Sequence, residues 1–221
     1  MNSMFPILDQ EPYAFIHWPK IDIFVYFSHH FLTIPPIGWI EASHKNGVSI
    51  LGTIITEVDE GVKICNAIFS SSENTKFFIK QCVEIALHVG FDGWLLNIEN
   101  VIEKDHIEDL KQLVQELTKA MHEANSKSKV LWYDSVTIEG KLEWQNALND
   151  LNAPYFDACD GIFLNYTWTE EKLGNSVLYC PGMYLPRKCN ITINYIYFVI
   201  ITNRVAFNIN KHKLHTSYEN R

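Results

Sequence analysis

The chain has no run of about eighteen apolar residues, so nothing in it reads as a membrane-spanning helix. Its start lacks the charged-then-apolar pattern of a secretory signal, which makes the cytosol the expected location. It also lacks an excess of positive charge. Its 18 Lys and Arg stand against 26 Asp and Glu, a formal net charge of −8, which excludes a nucleic-acid footprint. Cysteine is sparse and unpaired in pattern. Cys65, Cys82, Cys159, Cys180 and Cys189 are odd in number and include no C-x-x-C, so they read as reduced, mostly buried thiols. Without secretion, the acceptor triplets Asn165-Tyr-Thr and Asn190-Ile-Thr carry no glycosylation argument. What the chain does have is apolar and aromatic mass. At 221 residues, 47% hydrophobic and 13% aromatic, it can bury one core of one domain. The aromatics also suit a cleft that binds sugars or rings.

Strand and helix patterns alternate along the chain. Residues 21–27 are β-branched or aromatic almost throughout, the mark of a strand covered on both faces and therefore parallel and internal. A short helix is expected near residues 39–44, stopped at Asn46-Gly47. A second strand follows at 48–55, then helices over 61–69 and up to Val89, the latter ended by Gly90. The clearest amphipathic helix spans 105–125, with Ile107, Leu110, Leu113, Val114, Leu117, Ala120 and Met121 on one stripe. A strand at 130–134, a helix at 144–151, a fifth strand at 161–165 and a capped helix start at Thr169 complete the rhythm. Five strand–helix repeats predict an α/β fold with a parallel sheet. Beyond Leu173 the period is lost. The lead-in at 1–10, the apolar but broken run at 191–207 and the polar end at 211–221 show no such units.

The stretch 90–100 (GFDGWLLNIEN) organises the rest. Trp94, Leu95, Leu96 and Ile98 form the apolar body of a buried strand. Asn97 and Glu99 are two positions apart, so on a strand they point the same way, roughly 6–7 Å apart along the chain. Both fall at the carboxyl end, where α/β folds place their chemistry. The other strands end in similar fashion: His29 and His30; Thr56 and Glu57; Tyr133 and Asp134; Asn165, Tyr166 and Trp168. Adjacent histidines on a strand face opposite ways, so His29 and His30 do not suit one metal ion even with Glu57 nearby. Asp134 is expected to hold the loop beside Tyr133 rather than to do chemistry.

These strand ends resemble glycoside hydrolase family 85, the cytosolic endo-β-N-acetylglucosaminidases. The resemblance rests on DIFVYFSHH at 22–30, LGTIITE at 51–57, FDGWLLNIEN at 91–100, LWYDS at 131–135 and DGIFLNYTW at 160–168, in order, within about 13–173. It implies a (β/α)8 barrel that cleaves the chitobiose core of N-glycans between its two N-acetylglucosamines, acting on N-glycans, N-glycoproteins and free oligosaccharides. It further implies that Asn97 and Glu99 are the catalytic pair, with no metal and no organic cofactor. Glu99 would act as acid and base, Asn97 would orient the 2-acetamido group, and Tyr133 would hydrogen-bond the acetamide oxygen. Trp144 and Trp168 would stack on sugar rings, while Asn165 and His30 would hydrogen-bond hydroxyls. Trp94 is placed with the substrate-binding residues. With Leu96 and Trp132 it is expected to form the apolar wall that raises the Glu99 pKa.

A full barrel takes about 250 residues and eight strands, and only five βα units are legible. The chain is therefore expected to be an incomplete barrel domain at 1–173 with a divergent tail at 174–221. With strands missing from both ends, open sheet edges and low or absent activity are expected.

Overall fold

The computed structural model describes residues 15–176, residue 179 and residues 198–200. The lead-in at 1–10, Cys180, Cys189, the Asn190 triplet and the polar end at 211–221 lie outside the described residues. The chain runs through β1 (Ile23–Phe27), the two-residue β2 (Leu32–Thr33), α1 (Ile37–Lys45), β3 (Ser49–Glu57), α2 (Val58–Phe69) and α3 (Ser72–Val89). It continues through β4 (Gly93–Glu99), α4 (Ile107–Ala124), β5 (Lys129–Tyr133), α5 (Ala153–Asp157), β6 (Gly161–Phe163), α6 (Glu170–Ser176) and β7 (Phe198–Ile200).

The sheet order is β6-β5-β4-β3-β1-β7, every neighbouring pair parallel. Strands consecutive in the βα rhythm are therefore adjacent in space, as in a barrel wall. β7 comes last in sequence and pairs with β1, where a closing barrel strand would sit. The run at 191–207, which shows no βα unit in sequence, thus contributes one parallel strand. β2 folds back antiparallel onto β3, filling the edge that β1 vacates beyond Leu51.

Period-2 alternation splits the core into two layers. Trp94, Leu96, Ile98, Val130 and Trp132 pack outward with the helices; the α4 stripe of Leu110, Leu113, Val114, Leu117 and Met121 meets them there. Each of those fully buried side chains contributes on the order of 2 kcal/mol. Val25, Leu51, Leu95, Leu131, Tyr133 and Phe163 form a separate inner cluster. Phe24 stacks on Trp39 with centroids 5.1 Å apart and also meets Trp18 and Phe15, so the described end of the aromatic lead-in does pack down.

Local chemistry explains the boundaries. Gly90 ends α3 in the left-handed region at φ 89°, the position glycine fills at lowest cost. Ser71 caps the start of α3 by accepting the Asn74 N–H, and Thr169 Oγ1 accepts the Lys172 N–H at the start of α6. One clamp is built twice at the amino-terminal face. Asp92, ahead of β4, accepts the Ile50 N–H at 2.7 Å and pairs with His44 of α1 at 2.8 Å. Asp160, ahead of β6, accepts the Val130 N–H at 2.8 Å and pairs with His122 of α4 at 3.0 Å.

The helix expected at 144–151 does not form; α5 begins only at Ala153. Asn146, Asn149 and Asn152 offer side-chain partners that compete with helical hydrogen bonds. Asn152 Oδ1 accepts the Asn149 N–H, Asn149 Oδ1 accepts the Leu151 N–H, and Asn146 sits at φ 55°, outside any right-handed helix.

Candidate active site

β4 delivers Asn97 and Glu99 in step with Leu95, so both face the inner side of the sheet. Asn97 is 2% exposed. Its Oδ1 is buried and has no hydrogen-bond partner among the described residues. Such an acceptor is costly to bury unpaired, by about 1–3 kcal/mol, unless something binds it.

Glu99 is half-buried at the mouth, and its carboxyl pKa is raised. Burial is the main cause; hydrogen bonding from Asn97 opposes it, the Glu57 charge adds to it, and His29 opposes it. The walls expected to cause this shift are not the ones present. Trp94, Leu96 and Trp132 all point outward, since they alternate with Leu95, Asn97, Leu131 and Tyr133. Trp94 is fully buried beneath the helices and donates its indole N–H to the Cys82 carbonyl at 3.1 Å. It has no place in a sugar-binding surface. Trp132 stacks on Tyr155 at 4.2 Å instead.

Glu57 is the register partner of Glu99 across the parallel β3–β4 ladder, so the two carboxylates lie side by side. Both Glu57 oxygens meet His29 Nδ1, at 3.0 and 3.1 Å. His29 in turn packs edge-on against Phe27. No cluster of three or more metal-ligating side chains occurs among the described residues.

Tyr133, on β5, stacks on Phe163 at 5.7 Å and donates its hydroxyl to Asn165 Oδ1 at 3.0 Å. Its pKa is raised by burial first, then by the charges of Tyr166, Glu99 and Asp134. The phenol of Tyr166, 48% exposed, is raised as well, by local desolvation and then by Glu99. Asp134 is buried and accepts the N–H groups of Gln145 at 3.1 Å and Asn146 at 2.6 Å, together with the Asn152 amide at 3.0 Å. It holds the loop that carries Trp144, as expected of it.

The remaining expected residues stand around this cluster. Trp144 is 43% exposed on that loop, and Trp168 is partly exposed between the Tyr166-Thr167 turn and α6. His30 is exposed, its N–H bonded to Ser28 Oγ at 3.2 Å. Asn165 spends both ends of its amide inside the protein: Oδ1 on Tyr133, and Nδ2 on Asn146 at 2.9 Å. Glu57, His29, Tyr166 and Asn146 complete the cluster. For Glu57 and His29 the signal was their place at strand ends; for Asn146 no spacing gives a signal.

The model of the family described as Glycosyl hydrolase family 85 matches residues 2–199. Cytosolic endo-beta-N-acetylglucosaminidase 2 of Arabidopsis thaliana is 48% identical over 159 residues, covering 72% of this chain and 23% of that protein. The Homo sapiens cytosolic endo-beta-N-acetylglucosaminidase is 46% identical over 165 residues, covering 74% of this chain and 22% of that protein. The chain thus spans about a quarter of the length of the curated relatives it matches, as the 23% and 22% shares show. In fold, it resembles the crystal structure of the glycoside hydrolase domain of Endo-D from Streptococcus pneumoniae R6, with a TM-score of 0.68 at 22% identity over 80% of this chain and 29% of that chain.

Proposed function

Because the chain belongs to glycosyl hydrolase family 85, we propose that its sheet-end cluster hydrolyses the β-1,4 bond of the N,N′-diacetylchitobiose core of N-glycans, releasing free oligosaccharide in the cytosol. The cytosolic location is carried over from the names of the relatives. No helix among the described residues is long and apolar enough to cross a membrane.

The proposed mechanism uses one protein carboxyl and lets the substrate supply the nucleophile, the substrate-assisted exception among glycosidases. The 2-acetamido carbonyl oxygen attacks the anomeric carbon as the bond to the leaving oxygen breaks. Glu99 gives its proton to that oxygen. An oxazoline-type ring results, its positive charge centred on the former amide. Asn97 Oδ1 accepts the acetamide N–H and stabilises the charge developing there. Glu99, now a carboxylate, removes a proton from the water that opens the ring. Tyr133 lies one strand over and lines the acetamide pocket, while Trp144 and Trp168 offer exposed rings for sugar stacking.

The observation that carries this reading is the pairing of a buried amide oxygen, without a partner among the described residues, with a raised carboxyl two positions on. A raised pKa keeps more Glu99 protonated at neutral pH than an ordinary glutamate, as a general acid requires. The test is release of a fluorescent N-glycan from a high-mannose glycopeptide, followed by chromatography. E99Q is expected to cut turnover roughly 10²–10⁴-fold. A chain that binds the glycopeptide but leaves it intact, with E99Q no different, would overturn the hydrolase reading and leave glycan binding alone.

A further inference from the structure

The two facing carboxylates are backed by a polar latch on the outer side of the sheet. Glu57 and Glu99 form the last register pair of the β3–β4 ladder. Beyond it the chains part, β3 into α2 and β4 into a loop, so ladder hydrogen bonds hold this pair from one side only. Along the outer side, Ile54, Leu96 and Ile98 are apolar. The outer positions next to the pair are not. Thr56 precedes Glu57, Asn100 follows Glu99, and each is 2% exposed. Cys65 of α2 joins them: its sulfur accepts from Asn100 Nδ2 at 3.7 Å and meets Thr56 Oγ1 at 3.7 Å. Burial pushes the Cys65 thiol up, so it stays neutral, a weak donor and acceptor rather than a nucleophile.

The helix is shaped to meet these side chains. The Val101 carbonyl accepts from Asn100 Nδ2 at 3.0 Å, which turns Oδ1 toward Gly61. A Cβ on Gly61 would collide with that oxygen and stand 2.9 Å from the Thr56 carbonyl carbon. α2 can therefore close on both strand ends only where this residue lacks a side chain. No residue separates β3 from α2. Val58, the first of the helix, takes φ 48°, which a β-branched residue adopts only under constraint. That strain falls directly after Glu57 and keeps the carboxylate at the sheet end rather than on a loop.

We propose that Thr56, Cys65, Asn100 and Gly61 are positioning residues that pin the end of the β3–β4 ladder and so fix Glu57 beside Glu99. The groups that face Glu99 are Glu57 from β3, His29 from the turn after β1, Tyr133 from β5 and Tyr166 from the turn after β6. Of these, Glu57 is the sequence neighbour of the latch. His29 is bound to Glu57 and moves with it, but its opposing effect on Glu99 is the smaller. When the latch loosens, the Glu57 charge recedes and Glu99 gives up its proton at lower pH. The benefit to catalysis rests on the proposed reaction with Glu99 as the acid. The latch does not, and it can be read without turnover.

The experiment follows the Glu99 carboxyl carbon by NMR across pH, its signal assigned by its loss in E99Q. E57Q is expected to lower the Glu99 midpoint by about half a pH unit, the coupling of two partly wet carboxylates. T56V, C65A and G61A should each lower it part of the way, and add nothing in an E57Q background. T56V keeps the shape of the side chain, so it reports on the latch even where G61A fails to melt cooperatively. A midpoint unmoved by T56V and C65A would overturn the proposal. Equal shifts with and without Glu57 would overturn it too, since the latch would not act through that carboxylate. Glycopeptide turnover is the second readout. The alkaline limb should move with the NMR midpoint, with KM within about twofold because the latch is buried behind the sheet. NMR shifts as expected in a chain with no turnover would sink the hydrolase reading and leave the latch standing.

Discussion

Asp134→Asn is the sharpest test of how the loop above the sheet is held. Asp134 Oδ2 accepts the Asn146 N–H at 2.6 Å, while Oδ1 accepts both the Gln145 N–H and the Asn152 amide. An asparagine must turn its NH2 toward one of these sets of donors. The Asn165 N–H also bonds this carboxyl, so either orientation of the asparagine sacrifices at least one bond. Loss of a hydrogen bond to a charged group costs about 1.5–3 kcal/mol. Burial already raises the Asp134 pKa despite those bonds, so removing the charge returns part of the cost. A net loss of about 2 kcal/mol follows, or about 4–8 °C in Tm for a domain of this size. The pH dependence adds a second constraint. A carboxyl with a raised folded pKa contributes stability that is fully present below the unfolded value, about 3.9, and is lost as pH rises through the folded value. D134N lacks that slope, so its penalty relative to wild type should narrow between about pH 4 and the folded pKa. Melting curves by circular dichroism across that window decide it. A D134N that melts with wild type, or a penalty that widens with pH, would refute the reasoning.

Two further outcomes follow. D92N and D160N each remove a carboxylate that accepts a strand N–H and pairs with a helix histidine. Each should cost about 1–3 kcal/mol in denaturant midpoints, and equal midpoints in mutant and wild type would show the clamps to be idle. E57Q removes a charge that raises Glu99, so the alkaline limb of the activity profile should move to lower pH; H29A removes one that lowers it and should move the limb up. Shifts of the same sign in both variants would contradict the assignment of Glu99 as the acid.

The five parallel strands β1, β3, β4, β5 and β6 were legible because each is a short, almost wholly apolar run, which suits a strand covered on both faces; β7, in the broken run at 191–207, was not. Where the sequence misled, a physical cause is visible. Trp144, Ala147, Leu148 and Leu151 recur at helical spacing, yet the asparagines interleaved with them bind the backbone first. Parity alone argues against Trp94 in the site: it cannot share a face with Asn97 and Glu99 if they are to share one with each other. β2 is two residues long and has no pattern to read. The pairing of Glu57 with Glu99 depends on the register Leu51↔Gly93, fixed where the Asp92 clamp engages β3 at Ile50, which no spacing reveals.

Glu57 also bears on how many carboxylates the reaction uses. Two side by side at a strand end invite a mechanism in which one is acid and the other nucleophile. Glu57 is poorly placed for the second role, because both its oxygens are spent on His29. Asn97, by contrast, keeps its amide oxygen buried and without a partner among the described residues, on the same strand as the acid. A nucleophilic carboxylate would need no such acceptor, whereas an acetamide that attacks through its own oxygen exposes an N–H that needs one. The two readings part on a single variant: E57Q should keep turnover within about tenfold of wild type if the substrate supplies the nucleophile, and lose roughly 10²–10⁴-fold if Glu57 does.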